Sequence, residues 1–154
     1  HESILVALEE GFGTLRSNPE DWFWRHTERR SLVKKLFRTG DTLISMGKDS
    51  FYPLPSVEPG NYPVLLPTSR LLRPFVGNKM THQRRMSRIK SEMQRSAEKG
   101  MVYHLWWHPH NFGHFTQENL HYLQELLVFF QQLRDTYGMV SLNMKETAGL
   151  VRGK

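Results

Sequence analysis

What most restricts the fold of this chain is an alternation. Segments with helical spacing of apolar residues are repeatedly closed by a glycine and followed by a short extended run. Ile4, Leu5 and Leu8 repeat at helical spacing, and Gly11 stands at the C-cap before the extended stretch from Phe12 to Arg16. Asn18-Pro19-Glu20-Asp21 supplies a turn and a helix start, after which Trp22, Leu32, Val33, Leu36 and Phe37 lie among Arg and Lys until Gly40. Residues 47–63 hold Gly47, Pro53, Pro55, Pro59, Gly60 and Pro63, the composition of a long irregular loop. It leads into the strand-type run Val64-Leu65-Leu66, which Pro67 bends or ends. From Met80 to Lys99, Met86, Ile89, Met93 and Ala97 form one inward stripe, and Gly100 closes the helix. Met101 to Trp107 alternates and is rich in aromatic residues. Thr116 stands where it can cap a helix striped with Leu120, Leu123, Leu127, Phe130 and Leu133, and Gly138 stops that helix. Met139 to Met144 reads as a last strand, and Lys145 to Leu150 as a terminal turn or helix.

Helices long enough to cross over a parallel sheet, alternating with strands, predict an α/β fold. The expectation is a partial (β/α) barrel of about four strands alternating with helices, with residues 1–154 forming a single domain or a fragment of one. Too few strands are present to close a barrel, so an apolar sheet edge should be exposed unless a missing N-terminal part or a partner covers it.

Composition narrows the chemistry. With no cysteine among 154 residues, a disulfide framework, a thiolate metal site and a cysteine nucleophile are all excluded, and the compartment stays unknown. No apolar run reaches the ~18–20 residues of a membrane span, so no membrane partner is expected. The net charge of +6 suits an anionic glycan, a nucleic acid or an anionic surface without selecting among them. Seven of the basic residues (Lys79, Arg84, Arg85, Arg88, Lys90, Arg95 and Lys99) fall on one predicted helix, where a solvated face is the commonest outcome. The chain opens with His1, on what reads as a helix already under way, as a processed chain or a fragment would.

The segment Val102-Tyr103-His104-Leu105-Trp106-Trp107-His108-Pro109-His110-Asn111-Phe112-Gly113-His114 places four histidines within eleven residues. On a strand, Val102, His104, Trp106 and His108 point one way, and Tyr103, Leu105 and Trp107 the other. His108 comes last, at the carboxyl end of the strand, where open parallel sheets and barrels gather their chemistry. An imidazole there suits an acid or base, and Trp106 beside it a stacking surface. His104, deeper in the strand, reads as a hydrogen-bonded core histidine. His108, His110 and His114 have a spacing that could seat a metal, but no carboxylate lies near them in sequence.

The run His104 to Gly113, with Glu118-Asn119-Leu120, Tyr137-Gly138-Met139 and Met144-x-Glu146, resembles the C-terminal end of polysaccharide deacetylases of carbohydrate esterase family 4. Gly11-Phe12 with Arg16-Ser17-Asn18 and Trp22, and Pro67-Thr68-Ser69-Arg70-Leu71-Leu72-Arg73-Pro74-Phe75, extend the likeness over most of the chain. The resemblance implies the C-terminal half of a deacetylase-type barrel acting on N-acetyl or O-acetyl groups of a carbohydrate. It implies that His108 is the general acid, that Leu105 lines an acetyl-methyl pocket, and that Trp106, Arg70 and Arg73 face substrate. A zinc-type divalent metal is implied for the complete enzyme and none for this chain, because the family's Asp base and Asp-His-His ligands precede the matched region. Asn18-Pro19-Glu20-Asp21-Trp22 is similar to a further family motif, with Asn18 in place of its first carboxylate. The alternative is a non-catalytic module that holds an anionic glycan or nucleic acid through the basic helix 79–99; on the first reading nucleic acid is not an expected partner.

Overall fold

The computed structural model describes residues 2–17, 50–54 and 63–152. The predicted helix from Trp22 to Phe37, the Asn18 to Trp22 motif and most of the proline-rich loop lie outside the described residues. Helix α1 (Glu2–Glu9) leads through Gly11, whose φ of +75° is the left-handed C-cap expected of a glycine, into strand β1 (Thr14–Ser17). Strand β2 (Val64–Pro67) pairs in parallel with β1, and β3 (Arg70–Leu71) pairs in parallel with β4 (Leu105–Trp106). Between β3 and β4 runs helix α2 (Lys79–Glu98), and after β4 come a 3-10 turn (Pro109–Phe112), helix α3 (Thr116–Tyr137) and helix α4 (Met144–Val151).

The expected partial barrel of about four strands is overturned. Among the described residues the strands are two to four residues long and form two separate two-stranded sheets, and no barrel closes. The cause is visible at Thr68 and Ser69, which divide β2 from β3. Ser69 and Arg70 both donate their N–H to the carbonyl of His104, at 2.9 and 3.2 Å, so the ladder slips there instead of running on. The alternating run Met101 to Trp107 pairs as a strand only at Leu105–Trp106, with an antiparallel bridge from Val102 to Tyr52 before it. Met139 to Met144 forms no strand at all.

The fold is a mixed α/β arrangement whose main core lies between helices. Met86, Ile89 and Met93 of α2 meet Leu126 and Leu133 of α3 and Leu72 after β3, all at most 6% exposed. Burying each such side chain stabilises by about 1.5–3 kcal/mol. The fully buried row of α3 is Asn119, Leu126 and Leu133; of the predicted stripe, Leu133 lies in this row and Leu123 and Phe130 pack against the core, whereas Leu120 and Leu127 are about half exposed. Thr116 does not cap forward; its hydroxyl donates back to the Phe112 and Gly113 carbonyls, and Phe115, at φ 54°, occupies the N-cap. Ala148 of α4 packs on Val64 and Leu66 of β2, and its helix opens with a reciprocal capping box between Asn143 and Glu146.

Candidate functional site

Alternation along the approach to β4 distributes its side chains to two surroundings. Tyr103 and Leu105 pack into the helical core. His104 turns away from it and sets its Nδ1 3.0 Å from the Pro67 carbonyl, while its backbone N–H donates to Ser69 Oγ at 2.9 Å. Burial lowers the His104 pKa, the Pro67 hydrogen bond opposes the shift, and the charge of Arg16 adds to it, so the ring favours its neutral form.

Trp106 carries the site outward. Its indole face receives the guanidinium of Arg16, from the carboxyl end of β1, at 3.8 Å from the ring centre. Its ring also meets His108 edge to face at 5.1 Å and 89°, and His108 in turn stacks on His110 at 5.1 Å and 26°. His108 is exposed, with extended backbone, and the proline that follows it starts the 3-10 turn. A row of Arg16, Trp106, His108 and His110 therefore lies along the carboxyl ends of β1 and β4.

Asn119, which enters the sequence reading only through the resemblance, fixes the loops around this row. Buried at the start of α3, it accepts from the Phe75 N–H at 2.7 Å and donates to the His114 and Phe115 carbonyls at 2.8 and 3.0 Å. One amide thus joins the loop after β3 to the loop after β4. The signal for it in sequence was a polar residue standing in register with apolar Leu126 and Leu133.

The other expected site residues go elsewhere. Leu105 lines an apolar cavity of about 500 Å³, bounded by Leu66, Tyr103, Leu126, Phe130 and Met139, of which His108 is not a wall. Arg70 makes a two-pronged ion pair with Glu92, both contacts at 2.9 Å. Glu92, 1% exposed, also accepts from Ser50, Arg88 and Tyr103 at 2.7, 3.0 and 3.1 Å. Burial opposes its ionisation, but the Arg70 hydrogen bond and charge, with Ser50 and Arg88, outweigh it and hold the carboxyl below its usual range. Arg73 is exposed; burial, then the charge of Arg73, lowers the pKa of Arg85.

Among the described residues no three His, Asp or Glu side chains converge as a metal would require. The basic helix presents less charge than its composition implies: Arg88 pairs with Glu92, Lys90 with Glu125 at 3.2 Å, and Arg95 and Lys99 lie over Phe51. No helix among the described residues is long and apolar enough to cross a membrane. No protein-family model, no curated protein and no solved structure matches the chain.

Proposed function

We propose that this chain contributes the proton-donating side of a carbohydrate deacetylase, with His108 handing a proton to the departing amine or alcohol as an N-acetyl or O-acetyl group is hydrolysed. The observation that carries the reading is an exposed imidazole at the carboxyl end of β4, held edge-on against Trp106 at 5.1 Å. The indole meets the His108 ring edge to face and the His110 ring stacks on it, and these two contacts restrict its orientation. The resemblance in the sequence supplies the substrate class. The described residues do not fit the divalent metal that the resemblance implies, so the chemistry assigned to this chain is orientation and proton transfer. On the resemblance, the metal ligands and the base belong to the part of the family that precedes the matched region.

Binding is the direct test. Titration of the isotope-labelled chain with an N-acetylglucosamine tetramer is expected to move the His108 and His110 ring signals and leave those of buried His82 in place. Any acetate release the chain shows is expected to fall by ~10²–10⁴ in His108→Ala, with the affinity for the tetramer little changed. If the His108 ring signals ignore both N-acetylated and O-acetylated oligosaccharides, the proposal fails.

A further inference from the structure

We infer that Arg16 is an anion-recognition residue, and that the glycan taken at this edge carries a carboxylate, as a uronic acid does, on the sugar at or next to the one that meets His108. This inference rests on reading the edge as a carbohydrate site and adds the charge class of the ligand.

Arg16 is exposed, and its guanidinium lies 3.8 Å above the Trp106 ring. Among the described residues no ion pair involves it, whereas Arg70 and Arg88 are taken up by Glu92, and Arg134 by Asp135. A guanidinium stacked on an indole loses water from one face only. Its N–H donors lie in the plane of the group and stay available at its rim, in the fork that matches a carboxylate in two-pronged fashion. Stacking also fixes the side chain before a ligand arrives, so less rotamer freedom is lost on binding. The same contact covers an indole face with a cation, so Trp106 serves here as the holder of Arg16 rather than as a bare platform for a sugar ring.

The surroundings agree in sign. The other ionisable side chains of the row are the imidazoles of His108 and His110, with His104 just before β4, and the loop from Trp107 to Phe115 contains no Asp or Glu. The nearest acidic residue in the chain beyond it is Glu118, in the first turn of α3. The charge of Arg16 is felt at His104, where it disfavours a second cation. The two ring contacts in series, Arg16 on Trp106 and Trp106 against His108, keep guanidinium and imidazole within the span of one sugar residue and its neighbour. A net charge of +6 favours association with an acidic polymer before any contact is made.

The test compares two oligosaccharides of equal length on the full chain: a tetramer of N-acetylglucosamine, and a tetramer in which glucuronate alternates with N-acetylglucosamine. Calorimetry and tryptophan fluorescence are expected to show the acidic tetramer binding roughly tenfold or more tighter, the size of one charge-assisted contact. Its advantage should shrink as salt rises from about 50 to about 200 mM. Arg16→Gln is expected to abolish the preference, bringing the acidic tetramer's affinity to that of the neutral one measured on the same variant. Arg16→Lys, which keeps the charge and loses the fork, should fall between. Equal binding of both tetramers by the wild type, or an undiminished preference in Arg16→Gln, overturns the inference while leaving the carbohydrate reading intact. Binding of neither tetramer overturns both. Oligo(dT) binding that exceeds the acidic tetramer's and depends on Arg16 also overturns it, in favour of a phosphate ligand.

Discussion

Arg70 and Arg16 lie on short parallel strands of the same small framework, yet their charges meet opposite fates. Arg70 is drawn under helix α2 and closed on Glu92, with Ser50, Arg88 and Tyr103 completing the carboxylate's shell. Arg16 lies on an indole at the surface with no carboxylate among the described residues to neutralise it. The approach to β4 feeds both regions: Tyr103 goes to the buried cluster, and Trp106 to the exposed row. The difference separates two uses of a cation. In the buried cluster the charges are consumed in holding α2 against β3; at the edge the charge is oriented and meets no carboxylate among the described residues, which is the condition for meeting a ligand. The comparison breaks if the buried cluster proves dispensable for stability or if the exposed row proves essential for it.

The largest effect should come from the buried side. Glu92→Leu removes a carboxylate that serves two guanidiniums, and breaking a buried pair by deleting one partner costs about 3–5 kcal/mol. A loss of that size, measured as a fall in ΔG from urea unfolding, would leave a small domain near its stability limit. Arg16→Gln should change the same measurement by no more than a few tenths of a kcal/mol, since surface substitutions stay within about ±0.5 kcal/mol. Comparable losses in the two variants would erase the distinction drawn above.

How far these regions can be read from sequence follows from how local their causes are. Helices α2 and α3 and their glycine stops were legible, because a stripe such as Met86, Ile89 and Met93 and a left-handed cap at Gly100 or Gly138 are set within a few residues. The strands were not. A β-ladder needs a partner, and the run Met101 to Trp107 alternates well but finds one in parallel only for Leu105 and Trp106. The stripe of α3 was legible in part: Leu123, Phe130 and Leu133 face the core, but contact with α2 centres the buried face on Asn119 and Leu126 and leaves Leu120 and Leu127 outside it. Glu92 was hidden among the basic residues of its helix because Arg70 and Tyr103, which explain it, are distant in sequence. His108 and Trp106 were visible as residue types at a strand end; the partner of Trp106, Arg16, belongs to another strand, and only coordinates join them.

An intermediate effect is expected at the amide that serves the exposed region from beneath. Asn119→Ala deletes three hydrogen bonds and leaves the buried N–H of Phe75 without its acceptor, a loss of about 1–3 kcal/mol. The consequence should be concentrated in the loops that Asn119 joins. Amide hydrogen exchange is expected to speed up over Trp107 to Phe115 and around Phe75, and to change little in the middle of α2. The Trp106 to His108 contact should loosen with it, so saccharide affinity should fall although Asn119 does not face the edge. Uniform loss of protection over the whole chain would show that the amide supports the core rather than the site loops.

The smallest effect tests whether the buried side tolerates any further charge. His82, 3% exposed on α2, lies with its ring centre 4.1 Å from that of Tyr122 and edge-on to Phe75, and among the described residues neither ring nitrogen has a hydrogen-bond partner. Burial lowers its pKa, the charge of Arg85 on its own helix lowers it further, and Glu125 of α3 only partly opposes them. The unfolded chain therefore takes up a proton at His82 more readily than the folded one. Stability from this group is fully present above the ordinary imidazole value of 6.5 and is lost as pH falls below it toward the depressed folded value. His104 contributes a slope of the same sign, whereas Glu92, with its lowered pKa, weakens the fold only at more acid pH. His82→Phe, which keeps an aromatic ring against Tyr122, is expected to flatten the pH dependence of urea unfolding just below 6.5 without abolishing it. An unchanged slope in this variant would mean that His82 is protonated as easily in the folded protein as in the unfolded chain, and that the packing around Phe75 and Tyr122 admits water.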